Sequence, residues 1–149
     1  MGSSQGVLMS YIKTFFKCFI LACVGGVSYI IIEFLYRGYS HWTMFIVSSL
    51  AFVLIGGINE FIPWHMKLWK QMLVGSCIAT IIEFISGLII NVWLGLDVWD
   101  YSNLPLNVMG QICLPFSIIW FFMSLLCIVL DDYLRYWFFG EEKPHYSIW

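Results

Sequence analysis

Apolar residues run through this chain in four long blocks, separated by short stretches that hold most of the charges. The first block runs from about Phe15 to Tyr36. The second runs from Trp42 to Ile62 and stops at Pro63. The third covers Gln71 to Gly95 and the fourth Leu106 to Leu130. Each is at least the roughly 20 residues that an α-helix needs to cross bilayer hydrocarbon. In lipid, backbone donors and acceptors must be satisfied within the segment, which selects helices over open strands. The pattern predicts an all-α, polytopic integral membrane protein with four transmembrane helices in a single membrane domain, residues 1–149. The polar, Gly/Ser-rich start, residues 1–10, reads as a disordered tail. Residues 131–149 read as an interfacial amphipathic tail holding the inner end of the fourth helix.

Two blocks carry an acid among apolar and small residues. Val24 to Phe34 reads VGGVSYIIIEF and Val74 to Phe84 reads VGSCIATIIEF, so Glu33 and Glu83 match at an offset of 50, as do Lys17 and Lys67, and Gly25 and Gly75. An intramembrane carboxylate must be paired, neutral or facing water, and is a functional-site hypothesis by default. Glu33 has Arg37 four residues on, the order that favours a helical ion pair. Glu83 has Gly87 at that position, so it must find a partner elsewhere, with Arg37 as one option, or carry a proton. The duplication implies two parallel-repeated helical hairpins related by an axis along the membrane normal. Packed about that axis, the first and third helices would bring Glu33 and Glu83 together. Small residues four apart, Ala22 with Gly26 and Gly75 with Ala79, would permit a close approach.

The connection before the fourth block, LDVWDYSNLP, is acidic and aromatic. Trp99 and Tyr101 suit a membrane interface. The stretch reads either as an anchor and helix start, with Asn103 as N-cap and Pro105 in the first turn, or as a lid whose Asp100 and Tyr101 face the two glutamates. Pro115, inside the fourth block, would kink that helix and free a carbonyl near Gln111. Glu60 reads as a residue near the inner interface, snorkelling beside Lys67.

Charge changes this picture in one respect. Only 11% of the 149 residues are charged and 61% are hydrophobic, against about 25% charged in soluble domains. Lys and Arg total seven with no basic cluster, which excludes nucleic acid as a partner. Six of the seven cations fall on one side if both termini are cytoplasmic, leaving only Arg37 outside. The five cysteines all lie in apolar runs, without a CxxC pair, and read as small packing residues.

The runs YRGYSHWTMF, IGGINE, IIEF with Gly87, WDYSNLPLN, GQICLPF and DDYLRYWFFGEEKPHY resemble the ABC-transporter permease family of CmpB type. The resemblance covers residues 11–146, and the block Trp99–Asn107 is its most specific part. It implies a small four-helix protein of the bacterial inner membrane, with no catalytic residues to carry over. The sequence has no GxxxxGK[ST] phosphate loop, so ATP chemistry would belong to a separate ATPase subunit.

The reading is a transporter- or permease-like component in the plasma membrane, binding or translocating a small solute or ion. It would work with the lipid bilayer, and as a homo-oligomer or with partner membrane subunits. The candidate binding residues are Glu83, Glu33, Arg37, Asp100, Tyr101, Trp99, Asn107 and Gln111. The alternatives are a structural or assembly subunit of a membrane complex, or a membrane-embedded enzyme acting on a lipid.

Overall fold

The computed structural model describes residues 2–62 and 64–148. All its regular elements are helices, with no strand among the described residues. Helix α1 spans Gly2–Arg37, α2 Trp42–Gly56, the short α3 Ile58–Phe61, α4 Leu68–Gly87 and α5 Leu114–Phe139. A π-helical stretch, Leu88–Trp93, continues α4. Residues 5–37, 68–93 and 114–139 are long and apolar enough to cross a membrane, and α2 is a shorter apolar helix. Bulky apolar side chains such as Phe34, Leu35, Ile81 and Phe122 face outward, while Gln71, Ser124, Asp131 and Arg135 are buried. That distribution is the reverse of a water-soluble protein and suits lipid as the solvent.

Small residues set the packing. Gly26 lies against Phe45 and Ser49 of α2, and Gly75 lies against Ser124 of α5, where a Cβ would come within 2.6 Å of its Oγ. Ser76 Oγ donates to Ser117 O at 2.7 Å and Thr80 Oγ1 donates to Ser117 Oγ at 3.1 Å, tying α4 to α5. α1 packs along α2, α4 along α5, and α2 also lies against α4 and α5. The first and third blocks therefore do not form the directly packed pair expected from their matching sequences; their small residues serve neighbouring helices instead.

Four boundaries differ from the hydrophobic pattern. The start of the chain is helical from Gly2, not an irregular tail; Val7, Leu8, Tyr11 and Ile12 extend a helix already nucleated in the span, and propagation is far easier than nucleation. α2 stops at Gly56 because Gly57 caps it and Gly56 sits against the Asp131 side chain, leaving Ile58–Phe61 as a separate turn. Pro63, expected to end that block, lies outside the described residues. The last helix begins at Leu114, not near Leu106, with Cys113 at its N-cap position and Pro115 in its first turn. Pro115 is thus a helix starter, not a kink, and Asn103 is a loop residue. Left-handed backbone at Leu106, Met109 and Gly110 keeps the preceding stretch from joining the helix.

α5 also continues past Leu130 to Phe139, through charges expected in a surface tail. It can do so because those charges are largely paired with one another and with neighbouring polar groups, although Asp131 Oδ1 is left without a hydrogen bond among the described residues. Arg135 pairs with the fully buried Asp131 and lies 3.6 Å from Glu60 and 3.8 Å from Glu141. Asn59 Nδ2 donates to Asp132 Oδ2 at 2.7 Å, and Tyr146 O–H donates to the same oxygen at 2.9 Å. Burial and the neighbouring Asp132 push the Tyr146 hydroxyl well above its ordinary range, so it remains a donor. Glu60 joins this network through Arg135; it does not snorkel beside Lys67. Lys17 pairs with Glu141, so the lower part of α1 and the C-terminal segment share one end of the bundle.

Candidate functional site

At the opposite end, residues 94–113 form a 20-residue connection with no helix or strand of its own. Loops of that length in compact folds are usually functional. This one is held by its own polar residues. Asp100 Oδ1 accepts from Ser102 N and Oγ, Asn107 Nδ2 donates to Ser102 O and Leu104 O, and Gly110 N donates to Asn107 Oδ1. Asp100 is exposed and does not face either glutamate. It and Asn107 shape the loop. The two Ser102 bonds hold the Asp100 carboxylate below its ordinary range.

The loop is latched to the bundle through Asn91, in the π-helical stretch. Asn91 Oδ1 accepts from Val98 N at 2.8 Å, and Asn91 Nδ2 donates to Trp99 O at 3.0 Å and Gln111 Oε1 at 2.9 Å. All the side chain's groups are used, as a buried amide requires. A π-turn places this residue on the inner face, a device often found at functional sites. Trp99 Nε1 donates to Gln111 O at 3.0 Å, so the carbonyl expected to be freed by a kink is occupied. Gly87 lets Gln111 approach: a Cβ there would lie 2.6 Å from Gln111 Oε1 and 2.9 Å from its Cβ.

From this latched loop Tyr101 reaches inward. Its O–H donates to Glu83 Oε1 at 3.0 Å, and its ring stacks on Phe116 at 4.5 Å. Burial and the nearby Glu83 push the Tyr101 hydroxyl well above its ordinary range, so it stays protonated. Trp120 Nε1 donates to Glu83 Oε2 at 2.9 Å. Glu83 is 8% exposed and has no ion-pair partner among the described residues. An indole N–H can only donate, so Oε2 accepts in either protonation state. The tyrosine hydroxyl can donate to a carboxylate or turn and accept from a protonated Oε1. The pair of partners therefore tolerates both charge states of the acid.

Glu33 has a different environment. Arg37 Nη2 donates to Glu33 Oε1 at 2.6 Å, Ser40 donates to Oε2, and Tyr29 O–H makes a long bond of 3.5 Å to Oε1. Arg37 also donates to Val98 O at 3.4 Å, linking this acid to the loop. The two glutamate environments meet through the Tyr29 ring, which stacks on Trp120 with centroids 6.3 Å apart.

Beneath the loop lies a cavity of about 500 Å³ between α1, α2, α4 and α5. Trp99, Tyr29, Trp120 and Glu83 line it together with apolar residues that continue along α5 to Trp137. Among the described residues, Glu83 is the only carboxylate in its wall, and no Lys or Arg lines it. The size is ordinary for small-ligand sites, which run from about 300 to 1,000 Å³. Of the residues singled out in the sequence, Glu83 and Trp99 line the cavity, and Tyr101 holds Glu83 from the loop. Gln111 and Arg37 fix the loop to the helices, Glu33 anchors Arg37, and Asp100 and Asn107 point away from the cavity. Asn91, Trp120 and Tyr29 are participants that sequence reasoning passed over. An asparagine in the otherwise apolar run LIINVWLG was the available signal for the first; the two aromatics gave none among the many lipid-facing rings.

Comparison with curated proteins and with solved structures gives no match. The family model described as "Putative ABC-transporter type IV" matches residues 18–141, which takes in α1 from Cys18 onward, the later helices, the latched loop and both Glu33 and Glu83. This apolar helical membrane protein belongs to that family.

Proposed function

We propose that the protein is a ligand-binding membrane component of a transporter, spanning the plasma membrane four times with both termini in the cytoplasm. The ligand sits in the cavity beneath the 94–113 loop, and Glu83 is its polar contact. The observation carrying this reading is a single buried carboxylate, held by two neutral donors, in the wall of a cavity otherwise apolar. Such an acid costs free energy that a merely structural cavity would avoid. Tyr101 makes the loop responsive to the site, since whatever bonds Glu83 competes with or reinforces the tyrosine contact. The cation distribution supports the orientation. Energy for translocation comes from a separate ATPase, and four spans per chain call for a homo-oligomer or partner membrane subunits around a complete pathway.

The test is native mass spectrometry of the full chain extracted with its surrounding lipid in polymer-bounded discs. Wild-type protein retains a specific bound small molecule, and Glu83→Gln and Tyr101→Phe each lower its occupancy about tenfold, the scale of one charge-assisted hydrogen bond. Equal retention by wild type and both variants, with all three folded, would overturn the reading.

A further inference from the structure

The cavity's shape and chemistry select a class of ligand, an inference that rests on the reading above. Its wall follows α5 from Trp120 to Trp137, about 25 Å at the helical rise of 1.5 Å per residue. One leaflet of hydrocarbon is about 15 Å deep, half the bilayer core. The cavity is therefore a long channel, not a compact chamber, and its wall is apolar almost everywhere except at Glu83. It also has a side entrance. α1 packs along α2 and meets α5 only sparsely, and the edges of that seam are the exposed side chains Ile32 on α1 and Leu126 and Leu130 on α5. An entrance edged by lipid-facing residues admits molecules already dissolved in the bilayer.

Glu83 stands at the loop end of this channel. Two of the roughly four lone-pair positions of its carboxylate are taken by Tyr101 and Trp120. Arg37, the nearest conceivable counter-charge, is committed to Glu33 and the loop backbone. A ligand that completes this site brings a cationic, hydrogen-bond-donating head to Glu83 and an alkyl chain to the channel. An anionic head is opposed by the same carboxylate. We infer that the cavity binds a long-chain alkylamine, a single-chain amphiphile with an ammonium head, entering from the lipid between α1 and α5.

The experiment uses the full chain in nanodiscs of a zwitterionic lipid. The probes are hexadecylamine with a photoreactive diazirine at the chain end and hexadecanoic acid with the same group. The amine should label the α5 peptide near Tyr133 and Trp137 saturably, at least about tenfold more efficiently than the acid, as one charge-assisted contact gives. Glu83→Gln should bring the two probes near parity. Ser28→Phe, which fills the channel from α1 while leaving the Glu83 contacts in place, should abolish saturable labelling by both. Equal amine and acid labelling in the wild type would overturn the head-group assignment. If neither probe labels α5 saturably while a short polar molecule is still retained in a Tyr101-dependent way, the alkylamine inference fails and the binding site stands. If no variant changes labelling or retention of anything, both readings fail together.

Discussion

At the scale of single residues, the two matched glutamates solve the same problem differently. Glu33 is neutralised within its own helix by Arg37 and held by Ser40. Glu83 has Gly87 four residues on, where Glu33 has Arg37, because that position must admit Gln111. Glu33→Gln strands a partly buried guanidinium and should lower stability by about 2–3 kcal/mol. Glu83→Gln keeps an amide oxygen for one of its two donors and should lose about 1 kcal/mol. Denaturant unfolding in detergent distinguishes them, and equal losses would contradict the assignment of partners. Asp100 offers a pH test outside the membrane. Its folded-state pKa is depressed by Ser102, so its contribution to loop stability is complete above the unfolded value of about 4 and is lost as pH falls through the folded value. Hydrogen-exchange protection factors at residues 100–110, corrected for the intrinsic pH dependence of exchange, should fall in acid, and Asp100→Asn should remove that dependence while leaving the cavity occupied. The ion pair Glu33–Arg37 was legible in the sequence because its spacing is local. For Glu83 the loop residue Tyr101 was a candidate from the sequence, but Trp120, 37 positions away, was not, because it reaches the acid only through tertiary packing.

At the scale of elements, the hydrophobic blocks located the helices, while their ends were decided by contacts outside the pattern. α5 starts eight residues later than its apolar run and ends nine residues beyond it. The early apolar residues went into the loop, and the late charges were satisfied by Glu60, Asn59, Glu141 and Tyr146. Hydropathy reads a charge as a surface residue, so a buried charge network is invisible to it. Of the two WDYS residues expected to face the glutamates, Tyr101 bonds Glu83 while Asp100 bonds Ser102, since an irregular loop has no periodic rule that assigns its faces. The latch makes a prediction about α4. Gly87→Ala raises helix propensity by about 1 kcal/mol, yet its Cβ would meet Gln111 and push it off Asn91. The expected outcome is faster hydrogen exchange across residues 96–112 with the helices unchanged, and Asn91→Ala should reproduce it. A variant with slower exchange throughout would show that Gln111 can retreat without loosening the loop.

At the scale of the whole molecule, the bundle has two unlike ends. One gathers Lys17, Glu60, Arg135 and Glu141 in a charge network, and the other carries Arg37 and the latched loop over a long apolar cavity. In the proposed orientation, which rests on the cation count, the first end faces the cytoplasm. In a cysteine-free background, a cysteine at Ser102 should react with an impermeant reagent from outside, and one at Lys143 only after permeabilisation; the reverse pattern would invert the protein in the membrane. In the proposed function, loop and acid act on the cavity as one unit. The direct measurement is a double-mutant cycle on ligand occupancy, with Tyr101→Phe, Glu83→Gln and the pair compared by native mass spectrometry. The double variant should lose no more ligand than either single one, because removing one partner already breaks the shared contact. Losses that multiply, with each variant acting independently of the other, would contradict it.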